Sequence, residues 1–249
     1  MKPPKADQLK LNALVLALRE MQQGPPDTQL SFEDKLGLLV DYEWTERENR
    51  KIARRTKEAR NSVLAAPEEL ICDSARGLDR ATARDLTSCQ WVRSHHNLVV
   101  LGPTGVGKSF LASSLAQAAI RQGFRALFVR IPRLLEQLAI ARASADYSAT
   151  LARLAKIDVL ILDDFLLAPM TDIERRDLLE VLEDRYGKSS TVITSQLPTK
   201  SWHEMLGDPT IADAICDRLV HNAHLVTLRG SSIRRQKGLK PQLDPQPAT

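Results

Sequence analysis

The chain has 249 residues, a formal net charge of +4 and three cysteines. Its length allows one full hydrophobic core and a small accessory domain. Cys72, Cys89 and Cys216 show no C-x-x-C spacing, which argues against a disulfide framework or a zinc site and favours a reducing cytosol. Since no apolar run is long enough to span a bilayer and the N-terminus lacks a hydrophobic signal region, we expect a cytoplasmic protein.

Residues 1–67 show only helical periodicity, which predicts a small all-α N-terminal domain. The leucines at residues 9–18 predict a first helix. Ser31 and Asp34 resemble a capping box at the start of a second helix. A third helix is predicted through the basic stretch that follows, to about Leu64.

That basic stretch, residues 43–60, contains seven Lys or Arg and four Glu. Such a helix can be solvated surface stabilised by pairs four residues apart, or it can bind DNA phosphates, and both interpretations stay open. The candidate DNA-binding face consists of Arg47, Arg50, Lys51, Arg54 and Lys57.

A second basic segment, residues 218–240, contains six Lys or Arg and no acidic residue. This imbalance favours contact with phosphates, either of a nucleotide or of nucleic acid. The segment after it, residues 241–249, contains three prolines and predicts a disordered tail.

Residues 102–109 match G-x-x-x-x-G-K-[ST], the phosphate-binding P-loop. A short apolar strand is predicted before this loop and an amphipathic helix after it, which is the context the motif requires. Lys108 is expected to reach the β- and γ-phosphates, and the Ser109 hydroxyl to ligate Mg²⁺. The predicted nucleotide-binding residues are Gly102, Pro103, Thr104, Gly105, Val106, Gly107, Lys108, Ser109 and Phe110.

Two carboxylates complete the predicted site, at the end of an apolar strand over residues 157–164. In P-loop NTPases a strand-terminal Asp holds Mg²⁺, a role we assign to Asp163. A second carboxylate can orient and deprotonate the attacking water, a role we assign to Asp164. A strand over residues 190–196, if it lies between the other two, would bring Thr194, Ser195 or Gln196 near the γ-phosphate. Of these we take Ser195 as the catalytic candidate.

Strands and helices alternate from the P-loop onward, with Asp208-Pro209 predicted to start one of the helices. Five strands joined by crossover helices predict an α/β domain with a parallel, doubly wound sheet over residues 68–240. The predicted strands are residues 97–101, 125–131, 157–164, 190–196 and 223–228.

With these residues in view, the chain resembles the IstB family, AAA+ ATPase helpers of bacterial insertion sequences related to the DnaC helicase loader and the DnaA initiator. The resemblance covers nearly the whole chain. Beyond the P-loop it is carried by Asp41-Tyr42-Glu43-Trp44, Arg76-Gly77-Leu78-Asp79-Arg80, Leu162-Asp163-Asp164, Glu174-Arg175-Arg176-Asp177-Leu178-Leu179, Thr194-Ser195-Gln196-Leu197-Pro198, Asp217-Arg218-Leu219 and Gly230-Ser231-Ser232-Ile233-Arg234.

The resemblance implies an AAA+ domain with a five-stranded parallel sheet and no C-terminal helical lid. It implies a homo-oligomer on double-stranded DNA, with ATP and Mg²⁺ between subunits and a cognate transposase as partner. Arg218 would act on a neighbour's γ-phosphate, and Arg234 would be a second nucleotide or subunit-contact arginine. Without a lid, the linker backbone over residues 71–78 and a neighbouring subunit would hold the adenine.

One departure from the wider AAA+ pattern is Asp163-Asp164, where most members carry Asp-Glu. Because Asp is one methylene shorter, we expect slow hydrolysis. Three alternatives remain: a helicase loader with the same motor, an ATP-gated DNA clamp with negligible hydrolysis, and a P-loop kinase for a small molecule. The chain has neither the Arg-rich lid of such a kinase nor the N-K-x-D motif of a GTPase.

Overall fold

The computed structural model describes residues 8–23, 30–61 and 65–233. The chain divides into two compact units, one ending at Arg55 and the other starting at Thr56. The domain boundary predicted at residue 67 stays a prediction, because residues 62–64 lie outside the described part. None of the described helices is long and apolar enough to cross a membrane.

The first unit contains two helices, Asn12–Gln23 (α1) and most of Phe32–Glu58 (α2). The capping box at the start of α2 is confirmed: Asp34 N donates to Ser31 Oγ at 3.1 Å, and Ser31 N donates to Asp34 Oδ2 at 3.2 Å. The prediction of separate second and third helices is wrong. No Gly or Pro interrupts the sequence between the two predicted helices, so α2 continues through it.

Glu43 holds α1 against α2 in this unit. Its carboxylate is buried and accepts hydrogen bonds from Leu14 N at 2.9 Å and from Arg47 Nε at 2.7 Å. Burial alone would raise the pKa of Glu43, but these hydrogen bonds and the Arg47 charge outweigh it and lower the pKa. The contact stabilises the hairpin in the ionised state of the carboxylate.

The second unit is an α/β domain, and its five-stranded parallel sheet confirms the predicted fold class. After the end of α2, its elements are Arg80–Thr87 (α3), Gln90–Arg93 (α4), Asn97–Leu101 (β1), Lys108–Arg121 (α5), Ala126–Arg130 (β2), Ile131–Ala143 (α6), Tyr147–Ala155 (α7), Val159–Phe165 (β3), Asp172–Arg185 (α8), Ser190–Ser195 (β4), Trp202–Leu206 (α9), Pro209–Val220 (α10) and Ala223–Thr227 (β5).

The strand order is β2-β3-β4-β1-β5. β1 and β4 are buried along their whole length, as expected for central strands of a sheet covered on both faces. The predicted start of α10 is confirmed, since the Asp208 side chain accepts from Ile211 N and Pro209 is the first helical residue. The absence of a helical lid, predicted from the resemblance, concerns residues beyond 233, which lie outside the described part.

Because β3, β4 and β1 are neighbours and parallel, their carboxyl ends meet at one edge of the sheet. The placement of β4 between the P-loop strand and the Asp-Asp strand is confirmed. Ligands of open α/β sheets bind at such an edge, outside the carboxyl ends of the strands. The candidate site lies there.

Candidate nucleotide-binding site

The P-loop connects β1 to α5 and lines a cavity of about 250 Å³. Gly102 has φ of +146°, and a Cβ at this position would lie 2.4 Å from the backbone oxygen of Leu228. Glycine is therefore required where the loop passes close to the segment after β5. That segment is also bonded to the loop, because Ile233 N donates to Gly105 O at 2.9 Å.

Lys108 lies in the first turn of α5 with its side chain directed back along the loop. Its ammonium donates to the carbonyl oxygens of Gly102 at 2.7 Å and Pro103 at 3.0 Å. The residue is only 8% exposed, so its charge acts in a poorly solvated place. This position suits a cation that faces phosphate oxygens held by the loop.

Ser109 and Asp163, the two predicted Mg²⁺ ligands, are in contact. Ser109 Oγ lies 2.9 and 3.0 Å from the two carboxylate oxygens of Asp163. Asp163 is buried and also accepts a hydrogen bond from Thr194 Oγ1, which fixes it from the β4 side. A hydroxyl and a carboxylate beside a phosphate loop are the hard oxygen ligands that Mg²⁺ prefers, so these residues fit the metal.

Asp164 lies on a β-bulge. The β3–β4 register shifts between the pairs Leu162–Ile193 and Phe165–Ser195, so that two aspartates oppose Thr194 alone. Asp164 has φ of +61°, a left-handed conformation that costs a non-glycine residue about 1–2 kcal/mol. The bulge turns Asp164 toward the cavity, which its side chain lines beside the P-loop. Backbone strain maintained at such a place supports a functional role.

Arg130, which the sequence analysis did not single out, contacts this carboxylate. It is the last residue of β2, and its Nε donates to Asp164 Oδ2 at 2.8 Å. The sequence gives no strong signal for this pair, because only the strand order reveals that the ends of β2 and β3 are adjacent. Any water activated by Asp164 must share the carboxylate with this guanidinium.

Ser195, the last residue of β4, and Gln196, which follows it, differ in position. Ser195 is fully buried, and its hydroxyl donates to Phe165 O at 2.9 Å and accepts from Leu197 N at 3.2 Å. It therefore stabilises the turn after β4, and the catalytic role predicted for it gains no support from the geometry. Gln196 lines the cavity and accepts a hydrogen bond from Thr104 Oγ1 at 2.7 Å, so it is the better placed of the two.

The cavity also has an apolar wall beside the P-loop, which suits the face of a nucleotide base. The turn before α3 and the segment after β5 supply it. They are joined by Arg229 N donating to Arg76 O at 2.9 Å, and Arg76 Nη2 donates to Val106 O in the P-loop at 3.0 Å. The adenine-holding role of residues 71–78 stays a prediction. The apolar wall consists of Leu70, Ile71, Leu78, Leu228 and Ile233.

Substitution of Gly77, in this turn, tests how closely the turn packs against the end of β5. We expect Gly77→Ala to lower the free energy of unfolding by about 3 kcal/mol and to weaken nucleotide binding. The residue has φ of +81°, and a Cβ would lie 2.0 Å from the backbone oxygen of Thr227. Gly187→Ala is the control, because Gly187 has φ of +68° with nothing within 4 Å, and should cost only about 1 kcal/mol. Urea unfolding and nucleotide titration measure the two effects. If the two variants lost stability and nucleotide affinity equally, the close approach of Gly77 to the backbone oxygen of Thr227 would be contradicted.

Arg218 lies at the opposite end of β1 from the P-loop. Its carbonyl accepts a hydrogen bond at 2.7 Å from Asn97 Nδ2, on the first residue of β1. At 3.3 Å per residue the strand separates Asn97 from Leu101, next to the P-loop, by about 13 Å. Arg218 is accordingly not among the residues that line the nucleotide cavity.

The guanidinium of Arg218 is held by α8. Its nitrogens lie 2.9 Å from Glu183 Oε1 and 3.0 Å from Asp217 Oδ2, and it lies 5.5 Å from the centroid of the Tyr186 ring. The hydrogen bond with Glu183 raises the pKa of Arg218 above its ordinary value. Arg218 is therefore a permanently charged, partly exposed group held by Glu183 and Asp217.

The five predicted DNA-binding cations are all residues of α2. Arg47 is engaged within the hairpin, since it pairs with Glu43 and donates to the carbonyl of Leu9 at 3.3 Å. Lys51 pairs with Glu48 at 2.6 Å. Arg234 lies outside the described residues, so its predicted role stays a prediction.

The fold and the site together define a P-loop nucleotide-binding protein. Comparison with known families identifies it further, because the family of IstB-like ATP binding proteins matches residues 4–241. The chain belongs to the IstB family.

Relatives of similar length support this assignment. The putative insertion sequence ATP-binding protein y4pL of Sinorhizobium fredii is 45% identical over 95% of this chain and 96% of its own length. The putative ATP-binding protein of insertion sequence IS21 from Pseudomonas aeruginosa is 32% identical over 93% of this chain and 88% of its own length.

Solved structures show the same fold at low identity. The DnaC helicase loader has a TM-score of 0.55 at 18% identity and matches 66% of this chain and 97% of its own. AMPPCP-bound DnaA from Aquifex aeolicus has a TM-score of 0.57 at 15% identity and matches 69% of this chain and 54% of its own.

Proposed function

We propose that this protein is a Mg²⁺-dependent cytoplasmic ATPase that assembles on double-stranded DNA and activates a transposase for insertion-sequence transposition. The observation that carries the hydrolytic part is the contact of Ser109 with Asp163 beneath the P-loop, with Asp164 turned into the same cavity. Membership of a family of insertion-sequence ATP-binding proteins supports the transposition part.

The chain's own groups divide the chemistry among them. Lys108 binds the β- and γ-phosphates and offsets their charge. Asp164 accepts the proton of the attacking water and orients it. Bound Mg²⁺, held by Ser109 and Asp163, would supply further charge neutralisation at the phosphates. Gln196, at the P-loop through Thr104, is positioned to contact the γ-phosphate side of the site.

Asp164→Asn tests this division of roles. The amide keeps the shape of the side chain but cannot take up the water's proton, so we expect ATP affinity near wild type and hydrolysis lower by about two orders of magnitude. Phosphate release and nucleotide titration measure the two effects. Asp184→Asn, at an exposed carboxylate of α8, is the control and should leave both unchanged. Near-normal turnover of Asp164→Asn would move the base role to another residue.

The position of Arg218 supports the proposed assembly of subunits around ATP. The residue is held by Asn97 and Glu183 at the far end of β1, so it is not available to its own P-loop. A charged, partly exposed arginine away from its own P-loop suits the γ-phosphate bound by a neighbour. Two subunits would then be needed for each complete site.

DNA binding is proposed for the basic side of α2. Because Arg47 is engaged in the hairpin, the substitutions Arg50→Gln, Arg54→Gln and Lys57→Gln make the better test. We expect weaker binding to unrelated duplexes and a log–log salt slope shallower by up to about 0.9 for each phosphate that the variant no longer neutralises. The control replaces three other exposed arginines, Arg80, Arg84 and Arg176, by Gln. If both triple variants bind with the wild-type affinity and slope, this side of α2 is solvated surface or meets protein.

The identity of the protein partner separates the transposase helper from the runner-up, a helicase loader. Both use the same motor, and the resemblance in fold to DnaC is compatible with either. Co-purification with the transposase encoded beside this gene, but not with a replicative helicase, is the expected result. Stable capture of the helicase alone would favour the loader.

A further inference from the structure

A second cavity, of about 550 Å³, lies along β2 and shares no described lining residue with the nucleotide cavity. β2 is an edge strand of the sheet, so one of its sides has no neighbouring strand. The cavity is closed by Glu58 at the end of α2, by Arg60, and by α6 and α7. At one end of it Phe128 N donates to Ala59 O at 2.7 Å. We call this cavity the arginine groove, because Arg60, Arg130, Arg133 and Arg153 line it.

Four arginines and a single acidic residue, Glu58, line the arginine groove. Arg130 is paired with Asp164 on the nucleotide side. The other three, Arg60, Arg133 and Arg153, are exposed, and among the described residues no side chain pairs with them. Like charges gathered round one groove repel one another and attract anions. The chemistry of the rim therefore favours a negatively charged occupant.

The floor of the groove is apolar, so the anion that binds there should also present apolar surface. The half-buried Leu127 and Ile157 line it together with the buried Leu134 and Leu154. A nucleic-acid backbone offers little apolar surface to such a floor, and a duplex is convex where the groove is concave. Concave, mostly apolar sites with a few charged groups are typical of peptide and small-ligand recognition. Extended peptides often bind beside an edge strand, and β2 is one, with its Phe128 N already bonded to Ala59 O.

We propose that the arginine groove docks an extended segment of a protein partner in which acidic and apolar residues alternate. Successive side chains of an extended chain point to opposite sides. The apolar side chains would contact Leu127 and Ile157, while the carboxylates pair with Arg60, Arg133 and Arg153. Arginine pairs with carboxylates through two parallel hydrogen bonds, which adds geometric selectivity to charge attraction.

Binding of a defined probe to the full-length protein without nucleotide tests this docking, independently of ATP chemistry. The probe is a fluorescein-labelled dodecapeptide in which Asp alternates with Leu, followed by fluorescence anisotropy. One control peptide keeps Asp and replaces Leu by Ser; another keeps Leu and replaces Asp by Lys. We expect saturable, salt-sensitive binding of the Asp-Leu peptide and binding at least about tenfold weaker for both controls.

Two charge-reversed variants locate the site. The double variant Arg133→Glu, Arg153→Glu should bind the Asp-Leu peptide at least about tenfold more weakly than the wild type, because like charges then face each other. Arg84→Glu combined with Arg176→Glu makes the same change in net charge at residues outside the groove, and should bind like wild type. Circular-dichroism melts show whether each variant is folded, and the single variant Arg153→Glu replaces the pair if it is not.

Three results would overturn the proposal. The first is that the wild-type protein does not bind the Asp-Leu peptide, and the second is that the two double variants lose affinity for this peptide equally. The third is that the groove variant loses affinity for duplex DNA while its affinity for the peptide is unchanged. The last result would assign the groove to nucleic acid.

Discussion

Lys108→Ala is expected to abolish or strongly weaken ATP binding. The ammonium is the main cation facing the β- and γ-phosphates, and truncation of one partner of a buried charge pair costs about 2–5 kcal/mol. Since about 1.4 kcal/mol is a factor of ten, affinity should fall by about thirtyfold to several thousandfold. Titration of a fluorescent ATP analogue measures the effect, and ATP-dependent assembly on DNA should disappear with it.

Two controls show whether the effect of Lys108→Ala on ATP affinity is specific to this lysine. Lys156→Ala removes an exposed lysine outside the cavity and should leave ATP affinity unchanged. Lys108 also bonds to the carbonyls of Gly102 and Pro103, so a melting curve must show that the loop variant is folded. A folded Lys108→Ala protein with wild-type ATP affinity would refute the P-loop assignment.

The parts of the site that the sequence reveals are those with local signals. The P-loop is contiguous, and the strand before it and the helix after it follow from the apolar pattern of adjacent residues. Asp163 and Asp164 end an apolar run, so their place at a strand end could be predicted. Their approach to Ser109 then follows from the parallel sheet, because parallel strands bring their carboxyl ends together.

The remaining features depend on contacts between distant parts of the chain. The Arg130–Asp164 pair requires the order of β2 and β3, which periodicity does not give. The bulge at Asp164 arises because Asp163 and Asp164 both oppose Thr194 on β4. The apolar pattern of β3 cannot predict the bulge, since it indicates only an ordinary strand. The choice between Ser195 and Gln196 depends on which way each side chain leaves the turn after β4.

The two helices predicted in place of α2 illustrate a different limit. The composition changes there from acidic and aromatic to basic, which suggests a boundary between elements. Helix formation depends on the backbone, however, and neither Gly nor Pro interrupts it at this point. Ion pairs at helical spacing, Glu43 with Arg47 and Glu48 with Lys51, support α2 across the change in charge.

Arg218→Ala is expected to lower ATP hydrolysis by about a thousandfold while ATP binding persists, because an arginine supplied in trans acts on the transition state. Removal of the ion pair with Glu183 is a separate effect of this substitution. Glu183→Ala breaks the same ion pair but retains the arginine. If the pair were needed only for packing of α8 against α10, both variants would lose the same activity and stability. We expect Glu183→Ala to keep far more activity than Arg218→Ala.

Mixing Arg218→Ala with Lys108→Ala protein should restore part of the hydrolysis. An Arg218-mutant subunit keeps its own P-loop and can use the arginine of a Lys108-mutant neighbour, so a mixed interface of this polarity contains one complete site. Because the arginine changes the rate by about three orders of magnitude, even a few such interfaces exceed the background of either mutant alone. DNA should increase the recovery by gathering subunits on one duplex. Co-assembly of the two mutants without recovery of phosphate release would mean that Arg218 acts within its own subunit or only structurally.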